Sequence, residues 1–301
     1  MADVVVVGSI NQDFVLNVER RPEPGETVTD ADLSKGNGGK GANQAAAAAL
    51  LGASVLFLGR VGDDGFGEPL VEALADKGVD TRLIAAAPDS ATGTAFITVT
   101  PDGENAITVA PGANRRLTVE DVDGVSEPIG EARVLVAQME VPPEVVLRAV
   151  EVAAASGTRA LVNLAPPFEA PETLLEKLDP LVVNEHEAAF LLRERVEGVD
   201  GALSAAPELL ALGPKSAVIT VGEAGAVFAD GESTEHLPAP KVGVVDTTGA
   251  GDAFVGALAA QLAQGTSLED AVAYAVRAGA AAVTKEGAQG ALPTPETVEA
   301  L

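Results

Sequence analysis

The segment Asp246-Thr247-Thr248-Gly249-Ala250-Gly251-Asp252-Ala253-Phe254 sets small residues just ahead of a strongly helical run. Backbone N–H groups at a helix start are unpaired and lie at the positive end of the helix dipole, so they suit an anion such as phosphate. Glycine lets that anion approach the backbone closely. Asp252 stands at the mouth of this site. A carboxylate is costly beside phosphate unless it has a task, and accepting a proton from an attacking hydroxyl is such a task. Taken alone, Asp252 also fits the ordinary preference of Asp for helix starts.

A second glycine-rich loop, Lys35-Gly36-Asn37-Gly38-Gly39-Lys40-Gly41-Ala42-Asn43-Gln44, enters an alanine-rich helical stretch. Gly36, Gly38 and Gly41 satisfy the G-x-G-x-x-G pattern, and Asp63 lies roughly 20 residues on, which raises a nicotinamide-dependent oxidoreductase. That fingerprint follows the first buried strand directly. Here residues 4–7 lead instead into Gly8-Ser9-Ile10-Asn11, which lacks the glycines. The loop is not a Walker P-loop either, because Lys40 is followed by Gly41 rather than Ser or Thr. Lys40, Asn43, Asn11 and Asp13 are groups suited to a polyol, whose hydroxyls both donate and accept hydrogen bonds.

Alternating strands and helices are needed to carry these loops. Residues 4–7 form a continuous β-branched run, as in a buried parallel strand. Further strands are expected at 54–58, 134–137, 160–163, 181–183 and 217–221. Helices are expected at 41–51, 143–155, 185–192, 202–212, 251–262 and 268–284. Such alternation predicts an α/β fold, a central parallel-type sheet covered by helices on both faces. Two segments break the pattern. Residues 14–33 hold Arg-Pro-Glu-Pro-Gly between strand-like pieces, and 92–109 reads as two strands around a Pro101-Asp102-Gly103 turn. We expect antiparallel strands forming a small β-sheet lid at 13–33 and 92–109, with 1–12, 34–91 and 110–301 forming the large catalytic unit.

Composition narrows the class. The 301 residues are 47% hydrophobic, enough for one large core with a smaller appendage. No apolar run approaches the roughly 20 residues of a membrane span. Met1-Ala2-Asp3 carries an acid and no basic region, which argues against a secretory leader and for a cytoplasmic protein. With no cysteine, thiolate metal sites, disulfides and a cysteine nucleophile are excluded, and two histidines are too few for a histidine-rich metal site. Asp and Glu number 45 against 19 Lys and Arg, a net charge of −26. The acids are spread along the chain, not blocked as in acidic interaction tails. This fits a surface adapted to high salt, where screening removes self-repulsion. It argues against nucleic acid or an anionic membrane as partner.

The ordered motifs resemble the ribokinase family of carbohydrate kinases, of the phosphofructokinase-B type. The resemblance runs the length of the chain through Gly8-Ser9-Ile10-Asn11-Gln12-Asp13, Pro24-Gly25-Glu26-Thr27, Gly38-Gly39-Lys40-Gly41-Ala42-Asn43-Gln44 and Gly62-Asp63-Asp64. It continues through Thr92-Gly93, Pro111-Gly112-Ala113-Asn114, Glu140, Asn163-Leu164-Ala165-Pro166, Asn184-Glu185-His186-Glu187, Thr220-Val221-Gly222 and residues 246–252.

The resemblance implies site roles. Asn11, Asp13, Gly39, Lys40, Asn43 and Glu140 fall on sugar-binding positions. Asp252 falls on the catalytic base, and Gly249, Ala250 and Gly251 on the anion hole. Thr220, Gly222 and Gly225 fall on the nucleotide loop, with Gly251 beside the phosphates. Asn184 and Glu187 match an Asn-x-x-Glu element that supports Mg²⁺ and phosphate. Asp246, Thr248, Ala282, Lys285 and Gly287 fall on a loop for K⁺, and Ala291 stands where serine is frequent. The family further implies ATP as donor and a homodimer built through the lid.

The function so implied is ATP-dependent transfer of a phosphoryl group to the 5-hydroxyl of a ribose-type sugar, giving ribose 5-phosphate. A ribose 1-phosphate kinase making ribose 1,5-bisphosphate is the alternative. It would use Lys35, Arg115 and Arg116, expected where lid and main unit meet. A nucleoside kinase would want aromatic groups for the base, against the 3% aromatics here, and a non-catalytic sugar sensor would not need Asp252. His186 reads as a helix-surface residue, His236 as exposed near a turn, Tyr274 as core, and Arg20 and Arg21 as lying on the solvent side of the lid.

Overall fold

The computed structural model describes residues 2–102 and 105–301; Gly103 of the expected turn lies outside the described residues. The strands are β1 Val4–Val7, β2 Asn11–Asn17, β3 Asp32–Gly38, β4 Val55–Gly62, β5 Val79–Ala87, β6 Gly93–Val99 and β7 Asn105–Ala110. They continue with β8 Val134–Gln138, β9 Arg159–Asn163, β10 Leu181–Asn184, β11 Ala217–Thr220, β12 Ala226–Ala229 and β13 Thr234–Leu237. The helices that bear on the site are α1 Lys40–Leu50, α2 Gly67–Ala75, α3 Pro143–Ser156, α4 Glu185–Leu192, α5 Gly198–Ala211, α6 Ala250–Ala263 and α7 Leu268–Ala282.

The large sheet has the order β13-β12-β11-β10-β9-β8-β1-β4-β5. Neighbours from β11 through to β5 run parallel, and the β12–β13 hairpin adds an antiparallel edge. β1 lies between β4 and β8 and is wholly buried, which is why it reads as an unbroken valine run. Its alternate side chains feed two cores. Val4 and Val6 join α1, α6 and α7, whereas Val5 and Val7 join α3 and α5 on the other face.

The helices α1 and α6 come unusually close. A Cβ on Gly256 would lie 2.5 Å from the Ala47 side chain and 2.6 Å from the Gln44 carbonyl, so only glycine fits at that crossing. The alanines of α1 serve the same approach. Their small side chains bring the start of α1, Asn43 and Gln44, against the start of α6, Asp252.

A separate four-stranded sheet has the order β3-β2-β6-β7. It departs from expectation in two ways. Its central pair, β2 and β6, is parallel, not antiparallel. Both strands leave the large sheet in the same direction, each as the first arm of a hairpin, β2–β3 and β6–β7. The sheet also takes in residues 32–38, so most of the second glycine loop is strand and the boundary drawn at residue 34 falls inside β3. Only Gly39, at φ 90°, turns the chain into α1.

Candidate active site

The first glycine loop behaves as its residue types suggest. Gly249 caps α6 in the left-handed region at φ 77°, and a Cβ there would meet the Ala288 backbone at 2.9 Å. Asp246 ties this loop to the one after α7, taking the Thr248 N–H on Oδ1 (2.9 Å) and the Gly287 N–H on Oδ2 (2.8 Å). Burial works to raise the pKa of Asp246, but donation from Thr248 and Gly287 outweighs it and holds the carboxyl below its ordinary value. The Ala250 N–H is directed to the Thr247 carbonyl at 3.3 Å. Among the described residues, the N–H groups of Thr247, Gly249, Gly251 and Asp252 in this segment have no partner.

Asp252 occupies the first turn of α6 and is 8% exposed. Asn43 donates Nδ2 to its Oδ2, and Gln44 donates Nε2 to its Oδ1, both at 2.9 Å. The second Gln44 hydrogen goes to Asn163 Oδ1 at 3.0 Å. The Oδ1 atom of Asn43 is buried with no partner. An orphaned acceptor beside a held carboxylate suits a ligand hydroxyl.

The other expected sugar-binding groups converge from different elements. Asn11 opens β2, and its Oδ1 accepts from Asn114 Nδ2 at 2.7 Å, leaving its own Nδ2 to donate. Asp13 follows on β2, and its carboxylate fills the space a Cβ at Gly38 would need, 2.1 Å away. Burial, with the charges of Glu140 and Asp252, pushes the Asp13 pKa up to about 7. Glu140 takes the Ser9 hydroxyl at 2.6 Å and the Lys40 N–H at 3.1 Å on Oε2. Burial works to lower the Lys40 pKa, but Asp252, Glu140 and Glu187 raise it above its ordinary value. Its ammonium is in no ion pair among the described residues.

The Lys40, Asp252, Gly249 and Gly251 end of the site opens into a cleft that Asn163, Asn184, Glu187 and Thr220 also line. Asn184 and Glu187 form a reciprocal cap at the start of α4, with Glu187 N donating to Asn184 Oδ1 (2.9 Å) and Asn184 N to Glu187 Oε2 (2.8 Å). Burial raises the Glu187 pKa. Gly222 and Gly225 bound the turn after β11 and lie outside the residues that line the cleft. Gly225 has a packing reason of its own, since a Cβ there would strike the Leu237 carbonyl at 2.1 Å. Ala282, Lys285 and Gly287 lie at the end of α7 and in its following loop, where Val283 accepts the N–H groups of Val245 (2.8 Å) and Asp246 (3.3 Å).

Some residues fall elsewhere. Lys35 pairs with Phe14 in the sheet register and lies over the Phe14 and Phe66 rings at 5.4 and 5.6 Å. It therefore lies on the opposite face of the small sheet from Asp13. Arg115 and Arg116 are exposed. His186 is exposed; His236 is half-buried and not exposed, with Nε2 2.7 Å from the Ala224 carbonyl. Tyr274 lies at the rim of the core, not inside it, with Arg277 over its ring at 5.5 Å. Arg20 is exposed and paired with Glu26, and Arg21 is exposed. Gln138 gave no sequence signal, yet its Nε2 donates to Gln44 Oε1 at 2.7 Å. Nor did the partnership of Asp64 with Thr92, whose N–H and hydroxyl both reach its carboxylate at 2.7 Å.

Comparison with known proteins agrees along the whole chain. Residues 1–295 match the model of the pfkB family of carbohydrate kinases. The ribokinase of Staphylococcus aureus is 39% identical over 297 residues, covering 98% of each chain. The deoxyribokinase of Salmonella typhi is 36% identical over 295 residues, covering 98% of this chain and 96% of that protein. The structure of Arabidopsis thaliana ribokinase complexed with ribose and ATP superimposes with a TM-score of 0.90 at 30% identity, covering 99% of this chain and 98% of that one.

Proposed function

This chain belongs to the pfkB family of carbohydrate kinases, phosphotransferases with an alcohol acceptor, and from that premise we propose that it transfers the γ-phosphoryl group of ATP to the 5-hydroxyl of ribose. The observation that carries the reading is the buried Asp252 carboxylate, fixed by Asn43 and Gln44 beside the unpaired N–H groups at the start of α6. The ribokinases among its relatives support the sugar, and the ribose and ATP of the Arabidopsis complex support both substrates.

The sugar lies between the small sheet and the α1 start. Asn11 donates to it through Nδ2, Asp13 and Glu140 accept from its hydroxyls, and the orphaned Asn43 Oδ1 accepts another. Asp252 takes the proton of the 5-hydroxyl as its oxygen attacks phosphorus in line. The N–H groups of Gly249, Gly251 and Asp252, with the Lys40 ammonium, hold the charge of the group in flight. Asn184 and Glu187 offer oxygen donors of the kind Mg²⁺ prefers, and Glu187 Oε1 is not engaged in any hydrogen bond among the described residues. When bound, Mg²⁺ neutralises phosphate charge. Backbone carbonyls of Thr248, Lys285 and Gly287 accept no hydrogen bond among the described residues, which supports K⁺ in that loop.

We further propose that the small sheet is a lid and the contact surface of a homodimer. Leu33, Phe96, Ile107 and Val109 leave it unusually apolar, between 42% and 57% exposed. No helix among the described residues is long and apolar enough to cross a membrane, in keeping with a cytoplasmic enzyme working on ATP. The net charge of −26 supports a high-salt setting. The test is a panel of ribose, ribose 1-phosphate, deoxyribose, fructose and nucleosides, assayed with ATP at high KCl. The highest kcat/KM on ribose is the expected outcome, and a nucleoside or ribose 1-phosphate preferred over ribose overturns the reading. The position of Lys35, on the face of the small sheet away from Asp13, weighs against a C1 phosphate held by that lysine.

A further inference from the structure

Running back from the cleft, which Asn163 lines, three buried amides are joined end to end. Gln44 is 1% exposed, and every polar atom of its side chain is engaged. One Nε2 hydrogen goes to Asp252 Oδ1 at 2.9 Å and the other to Asn163 Oδ1 at 3.0 Å. Its Oε1 accepts from Gln138 Nε2 at 2.7 Å. The Asp252 carboxylate, which only accepts, and the Asn163 amide settle which way the middle one points. Asn163 directs Nδ2 to the Val182 carbonyl at 3.3 Å, so its Oδ1 must accept. Gln138 Nε2 then meets the Gln44 oxygen. Reversing the Gln44 amide would set oxygen against both Asp252 and Asn163.

Gln138 is wholly buried at the end of β8 and touches neither Asp252 nor the cleft. Among the described residues its Oε1 has no partner, an unfavourable state for a buried acceptor. Room for it is kept by Gly8, where a Cβ would lie 2.3 Å from that oxygen. A wholly buried glutamine with half its amide unsatisfied is poorly explained by packing, since an apolar side chain would fill the same volume without that penalty. Its single bond, to Gln44, is the only polar work it does among the described residues.

We propose that Gln44 is a positioning residue for the Asp252 carboxylate and that Gln138 acts solely by bracing the Gln44 amide through its Oε1. The inference rests on Asp252 being the base. With Oδ1 held by Gln44 and Oδ2 by Asn43, the carboxylate cannot rotate, and the lone pair facing the sugar hydroxyl is defined before substrate arrives.

The test is a double-mutant cycle on steady-state kinetics, using Gln44→Met, Gln138→Met and the double variant. Gln44→Met keeps shape and removes the donor. Its kcat should fall by about 10–100-fold, the scale of a misplacement near 1 Å, with sugar KM little changed. Gln138→Met should lower kcat by a smaller factor, also at unchanged sugar KM. The double variant should match Gln44→Met alone, because Gln138 has nothing left to brace. Wild-type kcat in Gln44→Met overturns the proposal, as does a double variant in which the two effects multiply. If Gln44→Met does not fold, judged by circular dichroism, Gln138→Met decides alone through the same split of kcat from KM. If the wild-type chain does not use ribose, the substrate assignment fails separately, and the cycle is read on whichever sugar of the panel is phosphorylated.

Discussion

Asn43 donates Nδ2 to Asp252 Oδ2 at 2.9 Å across 209 positions of sequence, while its own Oδ1 stays buried without a partner. One amide thus holds the Asp252 carboxylate and offers an acceptor beside it, as the proposed role of Asp252 as base requires. Asp252→Asn keeps the shape of this pair and removes the proton acceptor. It should retain the fold and sugar binding and lose turnover by about 10²–10⁴-fold, the usual worth of general-base catalysis. Calorimetric titration with ribose and single-turnover rates check the two halves. A kcat near wild type would sink the assignment of Asp252.

Asp13 predicts a pH dependence of both stability and binding. Its carboxyl goes from an ordinary value of 3.8 to about 7 in the folded chain, through burial first and then Glu140 and Asp252. The folded state thus holds a proton that the unfolded state has released across that window, so this group makes stability fall as pH rises from about 4 to 7. Asp13→Asn should remove that slope. Its Tm should exceed wild type near pH 8 and match it near pH 4, and parallel Tm–pH curves would contradict the assignment. Sugar hydroxyls donate better to the ionised form, so the wild-type KM for ribose should fall as pH rises through about 7.

At the root of the small sheet, Asp64 carries four donors. Thr92 supplies its N–H and hydroxyl at 2.7 Å, with the N–H groups of Phe66 at 3.0 Å and Gly67 at 3.1 Å. Thr92 immediately precedes β6, and its hydroxyl also takes the Gly62 N–H at 3.0 Å. Nearby, Phe14 of β2 meets Phe66 edge-on at 5.7 Å. Thr92→Val leaves the Gly62 N–H without its acceptor inside a buried joint, so urea unfolding should show a loss of about 1–3 kcal/mol. If this joint also sets the angle of the small sheet over the sugar, KM for ribose should rise more than kcat falls. An unchanged KM would confine Thr92 to stability.

The legible parts of this chain are those whose signals are local. The valine run of β1, the alanine faces of α1 and α6, and the two glycine segments announce a parallel α/β sheet and an anion site in consecutive residues. β5 carries no clear strand signal because, paired on one side only, it holds the polar run Asp80-Thr81-Arg82 and lacks a buried run. The parallel pairing of β2 with β6 depends on where two distant hairpins leave the large sheet, which no local pattern encodes. Gln138 shows the same limit at the site. It sits in a strand read only for its hydrophobicity, and its meaning comes from Gln44 and Gly8, brought to it by β1 and α1. Gly8 has its reason only in the tertiary structure, where a Cβ would meet Gln138 Oε1 at 2.3 Å and the Gly41 Cα at 2.7 Å.

The charge of −26 on 301 residues predicts two separable responses to salt. Screening of general repulsion depends on ionic strength alone, with the Debye length falling from about 10 Å at 0.1 M to about 3 Å at 1 M. The pairs of Arg148, Arg195 and Arg193 do little to offset the repulsion, since they lie at the exposed surface, where water and salt screen them. Tm should therefore rise strongly between 0.1 M and 2 M salt, and alike in KCl and NaCl. An identical midpoint at the two concentrations would reject the high-salt reading. The loop joined by Asp246 and Gly287 predicts a response to the ion itself. At constant ionic strength, replacing Na⁺ by K⁺ should raise kcat without moving Tm by more than a degree or so, because one site contributes little beside the screening of the whole surface. Asp246→Asn, which weakens the anchor between the two loops, should diminish that K⁺ response while leaving the dependence of Tm on general salt in place. Equal kcat in Na⁺ and K⁺ would remove the ion from the loop and leave Asp246 as a brace for the start of α6.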